Sequence, residues 1–466
     1  MSPLTRAWHL CLLSYVVASV LYTTSFLVVH LFGTPIKTLG LGISPKSPLW
    51  IAKDTWDISQ IADIGTSQSQ STQDMVALVE DPGIAFPLES ELLTLNTWPQ
   101  ANSTARYVAS TQGKPLALEE ELIFSKAFAT SMNPSKIIPY FYEASERFRH
   151  DDVTITSIIT SDRLDVLVRL VEKYKGPISV TFHIKNTTNE VQPILERLGK
   201  VYAVSELMSR FVDVHLVIDS FDRQFNTWRN IARLFARTDF ILMLDIDFFP
   251  CTDFRLSLQK NPWIRRQLQT GLAAMVLPAF EYTNFEEGRN FSNFPSKKPE
   301  LLRLVKSKKI DMFHAVWKPG HNSTDYARFY SASPGEIYEV KEYQSAYEPY
   351  VIFKKVGPPW CEERFVGYGG NKAACLFEMF LSGIKYFVLA DHFLIHQNHL
   401  YEETARRSER KYNRKVYAGF KEEVCFRYLR SYRDAGTLNT TRAKNAVAEC
   451  KKLRSVRVSA PQLLGD

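Results

Sequence analysis

The sequence predicts an α/β protein with a mostly parallel central sheet, preceded by an N-terminal transmembrane helix. Three observations carry this. Between Val153 and Asp247, short β-branched or apolar runs alternate with stretches of helical spacing, the pattern of parallel strands joined by right-handed crossovers. Phe240-Ile241-Leu242-Met243-Leu244 is an unbroken apolar run, as expected of a strand buried on both faces, and Asp245 and Asp247 stand at its end. From Trp8 to Phe32 the chain carries no charged residue, and at ~1.5 Å per residue this stretch can cross a ~30 Å hydrocarbon core.

The totals narrow the class. A content of 45% hydrophobic and 13% aromatic residues in 466 supports a sizeable core and excludes a disordered chain. The net charge of +7 is spread along the sequence without a basic run, so no nucleic-acid partner is expected and anionic ligands are mildly favoured. None of the six cysteines forms a CxxC pair, which argues against zinc. Cys11 lies in the apolar segment, and the other five must leave at least one unpaired in an oxidising compartment.

In order, residues 1–7 read as a cytosolic tail and 8–32 as a transmembrane signal anchor. A cleaved signal peptide would have a shorter apolar region and a small-x-small cleavage site, and no clear one follows. Arg6 before the anchor keeps the amino terminus cytosolic and sends the rest to the lumen. Acceptor sequons at Asn102, Asn186, Asn290, Asn322 and Asn439 agree with that side. Residues 33–113 read as a flexible stem, with Thr66 to Gln73 made only of Ser, Thr and Gln. Helical spacing from Glu119 to Met132 makes 114–150 a helical lead-in packed on the α/β domain of 151–455, and 456–466 a peripheral tail.

Within the domain, Val153–Thr160 is the first strand and Leu164–Tyr174 its helix. Asp162 and Arg163, at the turn between them, sit where a nucleotide's base or phosphate is usually met; a helix cap beside a surface arginine is the structural alternative. Strands follow at Ile178–Ile184 and Val212–Ile218. Asn226 opens another helix, whose amino end attracts anions, and Arg229 is placed to clamp a diphosphate or to pair with an acidic neighbour. Asp245 and Asp247 come next. In an extended segment, residues two apart share a side, so both carboxylates should project together at the sheet's carboxyl edge. Two acids so placed repel unless a divalent cation lies between them. This is the Asp-x-Asp signature of a transferase using a sugar nucleotide, in which the metal bridges the carboxylates and a diphosphate. Phosphatases also use Asp-x-Asp, but there the pair opens the domain and a small residue follows where Phe249 stands.

Leu272–Leu277 is a further strand, and polar 282–309 reads as an insert over the site. His314, Trp317, His321, Asp325 and Tyr326 suit an acceptor sugar, since aromatic rings stack on sugar faces and acids or imidazoles fix hydroxyls. After a strand at Tyr347–Phe353, the glycines of Gly367-Tyr368-Gly369-Gly370-Asn371-Lys372 allow close backbone approach to a ligand, and Lys372 starts a helix where it meets a diphosphate. His396 ends the last strand region and is a third candidate metal ligand, with His399 as the alternative. Imidazole beside carboxylates suits Mn2+ better than Mg2+.

Together these blocks resemble the family-49 glycosyltransferases, which include glucuronyltransferases of dystroglycan glycan synthesis. The matching blocks are Thr154–Leu164, Gly176-Pro177, Asn226–Ala232, Leu244–Phe248, Leu277–Glu281, Glu348–Tyr350, Arg364-Phe365, Gly367–Lys372 and Leu394–His396. The resemblance implies a GT-A fold, a single-pass type II Golgi membrane protein, a UDP-sugar donor with glucuronic acid in view, a glycan or glycoprotein acceptor, Mn2+, and inversion at the anomeric carbon. It implies Asp245, Asp247 and His396 as metal ligands. Asp162, Arg163, Asn226, Arg229, Asn371 and Lys372 are expected at the nucleotide, and Glu281, His321 and Asp325 at the acceptor. Glu362 is the expected general base, with Glu363 as its alternative. A non-catalytic sugar-binding relative is the competing reading.

Overall fold

The computed structural model describes residues 136–186, 191–221, 223–400 and 403–464. The expected signal anchor, the expected stem and the helix expected at Glu119–Met132 lie outside them. Among the described residues no helix is long and apolar enough to cross a membrane.

The strands in chain order are β1 (Lys136–Tyr142), β2 (Val153–Ile159), β3 (Ile178–Lys185), β4 (Val212–Asp219), β5 (Phe240–Met243), β6 (Phe248–Pro250), β7 (Ala273–Leu277), β8 (Ala279–Tyr282), β9 (Ile310–Met312), β10 (Ile337–Glu339), β11 (Tyr350–Lys354), β12 (Lys385–Leu389) and β13 (Leu394–His396). Nine form one sheet in the order β1-β4-β3-β2-β5-β11-β7-β12-β10, and four form a second, β6-β13-β8-β9.

The large sheet is mixed. β4, β3, β2 and β5 are mutually parallel, as the strand–helix alternation predicts. β11 then runs antiparallel between β5 and β7, and β1 and β10 are antiparallel at the edges. The expectation of a mostly parallel sheet therefore needs amending. β11 is reached through a long, irregular connection rather than a βαβ crossover, and nothing then imposes the parallel direction. Within the span 114–150, read as helical, Lys136–Tyr142 is the strand β1.

The parallel half follows from its sequence. β2, β3 and β4 are buried almost throughout, and the helix Leu164–Tyr174 presents Leu164, Leu167, Leu170, Val171 and Tyr174 to them at helical spacing. Lys175 ends that helix in the left-handed conformation, φ 47°, just before Gly176-Pro177. The helix Phe225–Leu234 covers the other face with Trp228, Ile231 and Ala232.

The second sheet is what positions the site. Three times the chain leaves the large sheet for the small one: from β5 to β6 through Leu244–Asp247, from β7 to β8 across Pro278, and from β12 to β13. The apolar run at Phe240 is thus not one strand. It stops at Met243 and turns, with Phe248 N–H donating to Asp245 C=O at 3.0 Å, before β6 begins. In β13, His396 pairs with Phe248 on one side and Glu281 on the other.

The carboxyl-terminal part is not peripheral. The helix Glu403–Asp434 buries Phe420, Val424, Cys425 and Leu429 and packs on the helix Asn371–Leu381. Val456, Leu463 and Leu464 of the expected tail region are also core residues. Disulfides join Cys361 to Cys375 and Cys425 to Cys450, and Cys251 is left free and buried.

Candidate active site

A cavity of about 770 Å³ opens where the chain passes between the two sheets. Asp245 and Asp247 both line it, yet they have different partners. Because Ile246-Asp247 is a turn rather than extended chain, the rule that residues two apart share a side does not apply there.

Asp245 is held by cations. Its Oδ1 accepts from Arg229 Nη2 at 3.0 Å, and its Oδ2 from Lys372 Nζ at 3.1 Å and Tyr350 Oη at 2.9 Å. Burial alone would push this carboxyl up, but Lys372 and Arg229 outweigh it and hold it well below the usual carboxylate range. Arg229 is aimed by its own neighbours: its Nη1 donates to Asn226 Oδ1 at 2.9 Å and to Asn371 Oδ1 at 2.7 Å. Asn226 is fully buried and locks the opposite wall, its amide donating to Glu362 C=O at 2.7 Å and Asn371 C=O at 2.9 Å. Lys372 is delivered by a turn in which Gly367, Gly369 and Gly370 have φ of 76°, 101° and 71°, a conformation other residues rarely adopt. The Cys361–Cys375 bond ties this arm to the segment before it.

Asp247 belongs to a different group. One ligand-capable atom each from Asp247, His396 and His399 lies within 4.8 Å of the others. Asp247 Oδ2 is 3.1 Å from His399 Nε2, and Arg163 approaches both, 3.6 Å from Asp247 Oδ1 and 3.0 Å from His399 Nδ1. Burial tends to raise the Asp247 carboxyl, but the hydrogen bond from His399 and the nearby Arg163 bring it below its ordinary value. Burial pushes His396 down to about 3, so its imidazole is neutral at physiological pH, the form that ligates a metal. A carboxylate with two imidazoles is a donor set for a divalent transition-metal ion. Asp245 stands outside this group, and His399, the alternative to His396 in the sequence reading, stands inside it beside His396.

Of the other expected residues, Asp162, Arg163, Arg229, Asn371 and Lys372 line the cavity. Asn226 lies behind it, supporting Arg229. Glu281 accepts the backbone N–H of His314 at 2.8 Å, so it props a wall residue instead of facing the space itself. His321 is buried beneath Tyr350, their rings 6.5 Å apart and nearly parallel. Asp325 caps the helix Tyr326–Ser331 away from the cavity, which corrects its reading as an acceptor contact. Neither Glu362 nor Glu363 reaches the cavity. Glu362 Oε1 accepts from the backbone N–H of Arg364 at 3.1 Å and from its Nε at 2.9 Å, and Glu363 is buried against Asn230 at 2.8 Å.

The cavity also has walls that sequence reasoning did not assign to it. Arg406, Arg410, Asn413, Arg414 and Tyr417 recur at helical spacing on one face of Glu403–Asp434 and line it. Their spacing was the available signal, hidden in a segment charged on every side. Glu348 and Tyr350 come from the stretch leading into β11, and Tyr368 from the glycine turn. Six basic and four acidic side chains line the space, a balance suited to an anionic ligand.

A family model described as "Glycosyl-transferase for dystroglycan" matches residues 152–225 and 219–429. Human xylosyl- and glucuronyltransferase LARGE1 is 30% identical over 299 residues, covering 62% of this chain and 37% of that protein. Rat xylosyl- and glucuronyltransferase LARGE2 is 34% identical over 259 residues, 54% of this chain and 35% of that one. The glycosyltransferase-like protein gnt14 of Dictyostelium discoideum is 30% identical over 250 residues, 53% of this chain and 37% of that one. This chain thus spans little more than a third of the length of these relatives. A crystal structure of GalNAc-T7 with UDP, GalNAc and Mn2+ aligns at a TM-score of 0.34 and 10% identity, covering 54% of this chain and 44% of that one, too weak a likeness to carry an argument. The family match extends over more than half of the chain and contains both the Asp245–Lys372 and the Asp247–His396 constellations, so the protein belongs to glycosyltransferase family 49.

Proposed function

We propose that this protein is a GT-A glycosyltransferase that moves a sugar from a UDP-sugar to a glycan acceptor, with inversion at the anomeric carbon and dependence on Mn2+. The observation that carries the reading is one cavity walled by two constellations: a carboxylate with two imidazoles, and a buried lysine with a half-buried arginine around Asp245. Asp247, His396 and His399 would hold the ion, which when bound neutralises a diphosphate and eases its departure. Arg229 and Lys372 turn to that diphosphate as Asp245 releases them. Asp162, Arg163 and Asn371 lie along the same cavity and contact the nucleotide. Exposed Trp317 at the cavity wall offers a stacking face for the acceptor sugar.

The donor sugar to test first is glucuronic acid, because LARGE1 and LARGE2 are named as xylosyl- and glucuronyltransferases. The cellular setting we propose is the Golgi lumen, with Trp8–Phe32 as the anchor of a single-pass type II protein. Two disulfides suit an oxidising lumen, and the described sequon residues Asn186, Asn290, Asn322 and Asn439 are all exposed. Neither a phosphatase nor a non-catalytic role is favoured by the family match.

The test is a screen of UDP-sugars with the purified full chain, following UDP release and product formation with and without Mn2+. Metal-stimulated transfer from one donor to a glycan, with the anomeric configuration inverted by NMR, is expected. Release of phosphate from simple phosphoesters, or no turnover of any UDP-sugar, would overturn the proposal.

A further inference from the structure

Inverting transfer needs a base for the acceptor's proton, and neither glutamate expected for that role reaches the cavity. The base must face the space, be ionised, and be neither a metal ligand nor locked in an ion pair. Four carboxylates line the cavity. Asp245 is paired to Arg229 and Lys372, Asp247 to His399 and Arg163, and Asp162 lies 3.6 Å from Arg163. Glu348 is the fourth, and among the described residues no cation lies within ion-pairing distance of it.

Its placement is rigid. Tyr347 and Tyr350, on either side of Glu348-Pro349, are both buried, and Tyr347 Oη bonds Thr324 Oγ1 at 2.7 Å. The Glu348 N–H donates to Gly320 C=O at 2.8 Å, fixing it beside the loop that carries Trp317. Its side chain lines the cavity near Lys372 and the first turn of the helix Asn371–Leu381.

We propose that Glu348 is the general base of the transfer, a reading that rests on the glycosyltransferase activity inferred above. An acceptor hydroxyl oxygen forms the new bond to the anomeric carbon. The bond from that carbon to the diphosphate oxygen breaks, and its electron pair leaves with UDP. The hydroxyl proton passes to the Glu348 carboxylate, which returns it to water before the next cycle. Burial raises the carboxyl above its ordinary pKa, partly countered by nearby Lys372, which strengthens it as a proton acceptor.

The test compares the full chain with its Glu348→Gln variant. Glutamine keeps the shape and a carbonyl oxygen but cannot take a proton. The expected result is a fall in kcat of roughly 10²–10⁴, with unchanged Tm, donor KM and UDP affinity by calorimetry. Turnover of Glu348→Gln within tenfold of the unmodified chain would overturn the assignment, as would a loss explained entirely by UDP affinity. Should that variant be unstable, Glu348→Asp is set against Glu348→Asn, equal in length and differing in ionisation. An aspartate variant at least tenfold faster supports the base, and equal rates overturn it. An unmodified chain that turns over no UDP-sugar would refute the activity, and the base with it; an active one isolates the question of Glu348.

Discussion

Lys372 Nζ lies 3.1 Å from Asp245 Oδ2 and 3.5 Å from the centre of the Tyr350 ring, so one ammonium serves a carboxylate and an aromatic face in a buried pocket. Removing Lys372 leaves Asp245 with Arg229 and Tyr350 but short of one charge-assisted bond. Lys372→Met should therefore cost about 1.5–3 kcal/mol of stability and weaken UDP binding at least tenfold, read by urea denaturation and calorimetry. Adding Asp245→Asn should restore part of the stability, by about 1–3 kcal/mol of coupling, but none of the UDP affinity. Additive losses in the double variant would show that the two side chains act independently.

His399 should matter more to the metal than Asp245 does. His399→Ala is expected to weaken Mn2+ binding about 10–100-fold, and Asp247→Asn to abolish transfer while leaving the thermal transition within a few degrees. Asp245→Asn should spare much of the Mn2+ affinity. Metal titration by calorimetry decides; equal losses for Asp245→Asn and His399→Ala would return Asp245 to the ligand set.

Glu378 gives a stability signature remote from the site. Burial pushes its carboxyl up to about 7 against the pull of Arg427, whose Nη2 is 2.7 Å away. A carboxyl with a higher pKa folded than unfolded binds more protons when folded. Its contribution is therefore full below about pH 4.5 and lost as pH rises through about 7. Unfolding free energy should drop by on the order of 3 kcal/mol across that window, and Glu378→Gln should flatten the drop. A slope unchanged in Glu378→Gln would refute the assignment.

The two disulfides should separate stability from function. Each closes a short loop, of 14 residues for Cys361–Cys375 and 25 for Cys425–Cys450, and each should stabilise by about 3 kcal/mol. Replacing Cys425 and Cys450 by serine should lower Tm with UDP affinity intact. Replacing Cys361 and Cys375 should lower both, because that bond restrains the arm carrying Asn371 and Lys372. Equal UDP affinity in the two variants would remove the functional role given to the second bond.

Long apolar runs were legible wherever burial on both faces leaves little choice of residue. β2, β3 and β4 match their expected strands closely, and the helix Leu164–Tyr174 matches to the residue. The small sheet was not legible, because β6, β9 and β13 have three residues each and β8 has four, too few to set a period. The turn at Leu244–Asp247 was masked by its own hydrophobicity: Leu244 and Ile246 are buried whether the chain is straight or bent. Lys372, Arg229 and His396 could be read from position after a strand or at a helix start. Glu348 could not, because its value lies in which other carboxylates are already occupied, and that is a property of contacts between distant segments.

The neighbourhood of Asp247 and His396 is set by backbone pairing: β13 lies beside β6, with Gln397 N–H donating to Asp247 C=O at 2.8 Å. Single-residue insertions or deletions inside Phe393–His396 would turn the imidazole to the opposite face of the ladder, whereas changes of apolar identity there would not. Drift among the relatives should thus be tolerant of composition and intolerant of length at this rung, with the freedom to lengthen confined to the connections that run over the cavity's rim.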